Sequence, residues 1–237
     1  MVRATPEVRT GDPAWVVETV AADFEAASRR AFAHRQGFTV AIPGGSVATV
    51  CFARLARLAI DWGRVEFFWV DERAVPPDSP DSNYAVARSL WLERAEVPVA
   101  RIHRMRGEAQ PLDRAAREYS DELVRVAGAP PRLDYVLLGV GPDGHVASLF
   151  PGRNETAEGR WVLAVEDAPK PPPRRLTLSL PALTHARRVV VVATGEEKSA
   201  AVRAALADGS SSLPVARVAR DARSCMFVLD RPAARLL

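Results

Sequence analysis

The feature that most constrains this chain is the order of its short apolar runs. FTVAI (38–42), VEFFWV (65–70), LDYVLLGV (133–140), RRVVVVAT (187–194) and CMFVL (225–229) are β-rich, and WVLAV (161–165) and RLTLSL (175–180) read the same way. Stretches of helical spacing lie between them. Over 13–36, Trp15, Val16, Thr19, Val20, Phe24, Ala27 and Phe32 recur every three or four residues until Gly37 stops the pattern. Further helices are expected over 47–59, from about Tyr84 to Leu92, over 112–127 and over 196–207. VEFFWV is apolar on both faces, as a strand covered from two sides must be. This alternation predicts an α/β fold with a mostly parallel sheet flanked by helices. Residues 1–237 read as one domain without internal repeats. KPPP (170–173) is too short for an interdomain linker and reads as a rigid surface loop.

Charge adds little to this picture. The formal net charge is +3, and lysine occurs only at Lys170 and Lys198, so the other 30 of the 32 basic residues are arginine. The acids are interspersed with them. No basic stripe and no aromatic-basic interleaving is present, so no nucleic-acid partner is expected and the arginine excess reads as compositional bias. No apolar run approaches the roughly 18 residues of a membrane span. The start, MVRATPEVRTGDP, lacks the apolar core of a signal peptide. Cys51 and Cys225 form no CxxC pair and read as core residues. The expectation is a cytoplasmic protein with no membrane partner. His34, His103 and His185 are isolated, without the paired spacing of a metal site, so no metal is expected.

In open parallel sheets ligands bind beyond the carboxyl ends of the strands, so the residues behind each strand are the candidates. Pro43-Gly44-Gly45-Ser46 opens a helix, and its amides suit a phosphate; a tight turn that binds nothing fits equally. Asp71-Glu72-Arg73 follows VEFFWV directly. Arg73 can grip a phosphate with two prongs, and Asp71 can accept from sugar hydroxyls or hold Arg73 in place. A surface ion pair is the alternative. Gly139, Gly141 and Gly144 satisfy G-x-G-x-x-G, with Glu166 where a ribose-binding acid would stand. Three features oppose a dinucleotide there. Asp143 would face the pyrophosphate, Pro151-Gly152 interrupts the following helix, and RNETAEGR (153–160) has no apolar face. The same loop offers His145 as a general base, Asp143 to orient it, and N–H groups for a developing oxyanion. Lys198 stands in the first turn of a helix, an unfavourable place for a cation unless an anion lies near, though a solvated lysine is also possible there.

Together, GVGPDGHVASLFPG (139–152), PGGS (43–46), VDERAVPPDSPDSNY (70–84), KPPPRRLTLSLP (170–181) and VVATGEEKSAAV (191–202) resemble the 6-phosphogluconolactonase family in order and spacing, from about residue 15 to the terminal AARLL. The resemblance implies a modified Rossmann-like fold, related to that of glucosamine-6-phosphate deaminase. It implies a cytoplasmic hydrolase of the oxidative pentose phosphate pathway, taking a phosphosugar lactone, 6-phospho-D-glucono-1,5-lactone, and water to 6-phospho-D-gluconate, with no cofactor. Carried over by position, His145 is the general base, Arg73 and Lys198 bind phosphate, and Gly44, Gly45 and Ser46 form the phosphate loop. Asp71 and Asp143 are acidic site positions, and Arg175 is a recurrent arginine with no assigned contact. The chain departs from the family at Pro43, Val146 and Thr184, where serine, threonine and asparagine are common. The related deaminase carries a glutamate shortly beyond its histidine, where this chain has Ser148-Leu149-Phe150.

Overall fold

Residues 5–153 and 159–237 are described by a computed structural model. Part of RNETAEGR, residues 154–158, lies outside the described residues. An edge strand, β1 (Glu7–Gly11), leads into helix α1 (Pro13–His34). Asp12 caps α1 by accepting from the Trp15 amide at 2.8 Å, and Pro13 pre-sets its first turn. Strand β2 (Phe38–Ile42) is followed by α2 (Gly45–Leu55), then by β3 (Val65–Trp69), β4 (Asp71–Arg73) and the short helix α3 (Asn83–Ala87), which runs into a π turn at Arg88–Leu92. Next come α4 (Leu112–Ala127), β5 (Tyr135–Gly139), β6 (Val162–Val165), β7 (Arg175–Leu178) and α5 (Leu180–Thr184). Strand β8 (Arg188–Ala193), α6 (Ser199–Leu206), α7 (Pro214–Asp221) and β9 (Cys225–Asp230) complete the chain.

Six strands form a wholly parallel sheet in the order β1-β9-β8-β5-β2-β3, flanked by helices, as a Rossmann-like fold requires. The chain winds outward from β2 to β3, then returns to the other side of β2 with β5 and winds away through β8 and β9. The direction therefore reverses between β2 and β5, and a crevice opens beyond their carboxyl ends. The core packs around β2 and β5. Phe24 of α1 meets the rings of Phe38 and Tyr135, each at 5.2 Å, and Trp91 at 5.5 Å, all edge-on. Cys51 and Cys225 are buried in this core, and burial pushes both thiols up to about 12. His103 links two elements, with Nε2 2.8 Å from Glu66 of β3 and Nδ1 2.7 Å from Glu122 of α4. Among the described residues no helix is long and apolar enough to cross a membrane.

The structure corrects the sequence reading in three places. The strands at 161–165 and 175–180 are not members of the parallel sheet. As β6 and β7 they pair antiparallel in a second sheet of order β4-β7-β6. Asp71–Arg73 is a strand of that sheet rather than loop, with Asp71 opposite Thr177 and Arg73 opposite Arg175. Its polarity hid it, because it is held by hydrogen bonds instead of apolar packing. Strand β7 also ends early, where Ser179 caps α5 by accepting from the Ala182 amide and Pro181 stands in the first turn of that helix. The edge strand β1 and the helix α7 had no counterpart in the sequence reading.

Glu72 shows how charges come to lie behind an apolar strand. It is 3% exposed, and its carboxylate accepts from the amides of Arg73 (2.8 Å), Asn83 (2.7 Å) and Tyr84 (2.8 Å) and from the Ser82 hydroxyl (3.0 Å). It thus satisfies the first amides of α3. Burial pushes the carboxyl above its ordinary value, against the pull of those four bonds. Glu72→Ala leaves three amides and a hydroxyl unpaired and is expected to cost about 3 kcal/mol of unfolding free energy by urea denaturation. Glu72→Gln should rescue little, because its amide group turns a donor toward donors.

Candidate functional site

The crevice at the β2–β5 reversal holds a cavity of about 200 Å³. Of the eight residues expected from the sequence, Gly44, Gly45, Ser46, Asp71, Arg73, His145 and Lys198 line it, and Asp143 lies against His145. They arrive from four strands and the loops behind them. The loop after β2 contributes the glycines, β4 the Asp71 and Arg73 side chains, the loop after β5 the histidine, and the turn after β8 the lysine.

Helix α2 begins at Gly45 with no side-chain cap on its first amides. Gly45, Ser46 and Val47 of this first turn line the cavity, and an uncapped helix start of this kind suits an anion. Close approach is what requires Gly44, since a Cβ there would fall 1.8 Å from the Asn83 side-chain oxygen. Arg73 donates to the Asp81 carbonyl at 2.6 Å, and its Nε is buried without a protein partner. Asp71 does not hold Arg73, contrary to one of the sequence readings. Its Oδ2 accepts from Ser148 Oγ at 2.7 Å and its Oδ1 from Asn83 Nδ2 at 3.2 Å. Ser148 reaches it because Ala147 takes a left-handed φ of 49° just beyond His145. Lys198 ends a 3-10 turn, Glu196–Lys198, that runs directly into α6, so it stands at a helix start as the sequence suggests, its ammonium 3.8 Å from the exposed Glu197 carboxylate.

His145 and Asp143 form a hydrogen-bonded pair. Asp143 Oδ1 lies 2.5 Å from His145 Nδ1, which assigns the ring proton to Nδ1 and leaves Nε2 as the ring nitrogen without a protein partner. Burial draws His145 below its ordinary pKa, and the Asp143 hydrogen bond and charge, which push it up, do not fully offset this. The ring is thus neutral at neutral pH. Burial pushes the Asp143 carboxyl up, but the His145 hydrogen bond and the charges of His145 and Lys170 outweigh it, so Asp143 lies below its usual range. Gly141 gives the pair its space, since a Cβ there would fall 2.0 Å from His145 Nδ1 and 2.4 Å from Asp143 Oδ1. The G-x-G-x-x-G pattern therefore serves a histidine loop. Among the described residues no helix follows β5 before β6.

The loop is less generous with donors than its glycines promise. The Gly141 amide bonds the His145 carbonyl at 2.9 Å, the Gly144 amide the Gly141 carbonyl at 2.9 Å, and the His145 amide faces Asp143 at 3.4 Å. These three amides close the turn, so Gly141, one of the two glycines read as oxyanion donors, does not have its amide free. Sequence reasoning also missed two polar members of the cavity wall, Asn83 and Lys170, and the contacts of Arg175. Lys170 carried a usable signal, as one of only two lysines in an arginine-rich chain.

A family model described as glucosamine-6-phosphate isomerases/6-phosphogluconolactonase matches residues 11–227. The 6-phosphogluconolactonase of Streptomyces coelicolor is 38% identical over 221 residues, covering 86% of this chain and 84% of that protein. The probable 6-phosphogluconolactonase 3, chloroplastic, of Oryza sativa subsp. indica is 36% identical over 241 residues, 94% of this chain and 73% of the rice protein. The solved 6-phosphogluconolactonase of Trypanosoma brucei superposes with a TM-score of 0.87 at 30% identity, over 100% of both chains. With the β2–β5 crevice and its histidine loop described, these matches place the chain in the glucosamine-6-phosphate isomerase/6-phosphogluconolactonase family.

Proposed function

We propose that this chain hydrolyses 6-phospho-D-glucono-1,5-lactone to 6-phospho-D-gluconate, the lactone step of the oxidative pentose phosphate pathway. The observation that carries the reading is a neutral histidine, oriented by Asp143, in one cavity with Arg73, Lys198 and an uncapped helix end. Relatives at 36–38% identity that bear the lactonase name support the same substrate. A cytoplasmic location, a single domain over residues 1–237 and the absence of a nucleic-acid partner belong to this reading.

A lactone is an activated ester, so no covalent nucleophile is required. His145 Nε2 takes a proton from water as the oxygen adds to C1. The tetrahedral intermediate collapses with breakage of the bond from C1 to the ring oxygen, and His145 returns the proton to that oxygen. Arg73, Lys198 and the amides at the start of α2 hold the phosphate and so fix C1 over the histidine. Asp71 supports the wall beside it, occupied by Ser148 and Asn83. That occupation, and Ser148-Leu149-Phe150 in place of the deaminase glutamate, disfavours ring-opening chemistry on an amino sugar.

The test generates the lactone enzymatically and follows acid release. His145→Ala should lower kcat by about 10²–10⁴-fold with an unchanged circular dichroism spectrum; an unchanged rate removes His145 from the mechanism. Water activation needs the neutral ring. The rate should therefore rise with pH through a value below the ordinary 6.5 and be level by neutrality, with burial and Lys170 holding that value down against Asp143 and Asp71. A limb above 6.5 contradicts this. Lys198→Ala should raise KM for the phosphorylated lactone. Equal turnover of unphosphorylated gluconolactone by the parent protein would overturn the phosphate assignment, and ammonia release from glucosamine 6-phosphate would favour the deaminase reading.

A further inference from the structure

With the loop amides of Gly141, Gly144 and His145 engaged, a donor from another part of the cavity wall would add directly to stabilising the negative charge that builds on the lactone carbonyl oxygen. The cavity wall supplies one that the sequence reading passed over. Lys170 lines the cavity, and its Nζ lies 3.9 Å from Asp143 Oδ1, the oxygen that also meets His145 Nδ1. The chain has 30 arginines and two lysines, yet two of the four basic residues lining this cavity are those lysines. A compact ammonium with three donors on a flexible stem can follow an oxygen as it moves from trigonal to tetrahedral geometry, which a flat guanidinium does less well.

Lys170 is held in place by a second side chain. Arg175, 5% exposed at the start of β7, turns back on the loop before it. Its Nε donates to the Pro172 carbonyl at 2.9 Å, and one terminal nitrogen donates to the carbonyls of Lys170 at 3.0 Å and Pro171 at 3.2 Å. The Ala168 amide closes the same loop onto the Pro173 carbonyl at 2.8 Å. Arg175 is itself braced by Ser148, which donates to Asp71. A buried guanidinium thus fastens three successive carbonyls and fixes the backbone from which Lys170 reaches the histidine pair.

We infer that Lys170 is the electrophilic catalytic residue, donating from its ammonium to the carbonyl oxygen of the lactone, and that Arg175 is the positioning residue that holds it there. The inference rests on the lactonase reading. Water adds to C1 as its proton passes to His145, and the carbonyl π pair moves onto the oxygen that Lys170 meets. That pair returns as the bond to the ring oxygen breaks, and the ring oxygen takes the proton from His145. Lys170 ends as it began, protonated.

The test compares the parent protein with Lys170→Met, Arg175→Lys and the double variant, each checked for an unchanged thermal transition. Lys170→Met should lower kcat by about 10²-fold while KM stays within about threefold. A raised KM with kcat intact would make Lys170 a ground-state phosphate ligand and overturn the assignment. Arg175→Lys should lower kcat as well, and should add nothing in the Lys170→Met background; additive losses overturn the positioning role. A readout independent of turnover is the His145 ring titration by NMR. Removing the neighbouring positive charge should raise its midpoint, and an unmoved midpoint overturns the placement of Lys170. A parent protein that leaves the lactone intact overturns both readings, whereas a hydrolysing parent with an unaffected Lys170→Met variant overturns this one alone.

Discussion

Everything at the site depends on β2 lying beside β5 in one register. These strands are distant in sequence, and Thr39 and Asp134 bind them together. The Thr39 amide and hydroxyl donate to Asp134 Oδ2 at 3.0 and 3.2 Å, while the Asp134 amide donates back to the Thr39 carbonyl at 3.0 Å. Arg35 and Arg187 neutralise the other carboxylate oxygen at 2.7 and 3.1 Å. The lock sits at the amino ends of the strands, opposite the cavity, and fixes Val40 against Tyr135. A slip by one residue would move the histidine loop by about 3.3 Å relative to the glycine turn and invert every side chain of β5.

The second sheet answers a different need. The cavity wall requires charged groups that do not move, and a charge taken from water is costly unless its partners go with it. Strands β4 and β7 bring Asp71, Glu72 and Arg175 inside, and each arrives with partners: Ser148 and Asn83, four donors around Glu72, and three loop carbonyls. Three sets of groups in the cavity wall have no side-chain partner and are the ones the proposed chemistry would use. They are the Nε of Arg73, the amides that begin α2 and the Nε2 of His145.

Apolar periodicity made the parallel sheet and its longer helices legible in the sequence, because burial there is uniform and repeats with the strand and helix periods. Strand β4 was illegible for the opposite reason, since Asp71-Glu72-Arg73 carries no apolar signal and is held by partners up to about a hundred residues away, such as Thr177. The antiparallel pairing of β6 and β7 was hidden too, because a strand's own residues do not state its direction. At the site, the residues behind the strands could be picked out one at a time. Their joint use could not. Nothing local in Asp71 shows that Ser148 occupies it, and nothing in KPPP shows that Arg175 grips it from behind. The loop amides looked available until the turn that consumes them was seen.

The distribution of primary amines has a chemical consequence for this molecule. A lactone of the kind proposed as substrate is an acyl donor, and its carbonyl opens onto an amine by the same addition that water makes. Arginine guanidinium, always protonated, takes no part in such acylation. The side chains of this protein carry two primary amines in 237 residues, and both line the cavity. Its arginine-covered exterior is therefore inert, as far as side-chain amines go, toward the electrophile it would handle at every turnover. By the same count, the side-chain label left by an amine-directed reagent on the folded protein falls only at the cavity.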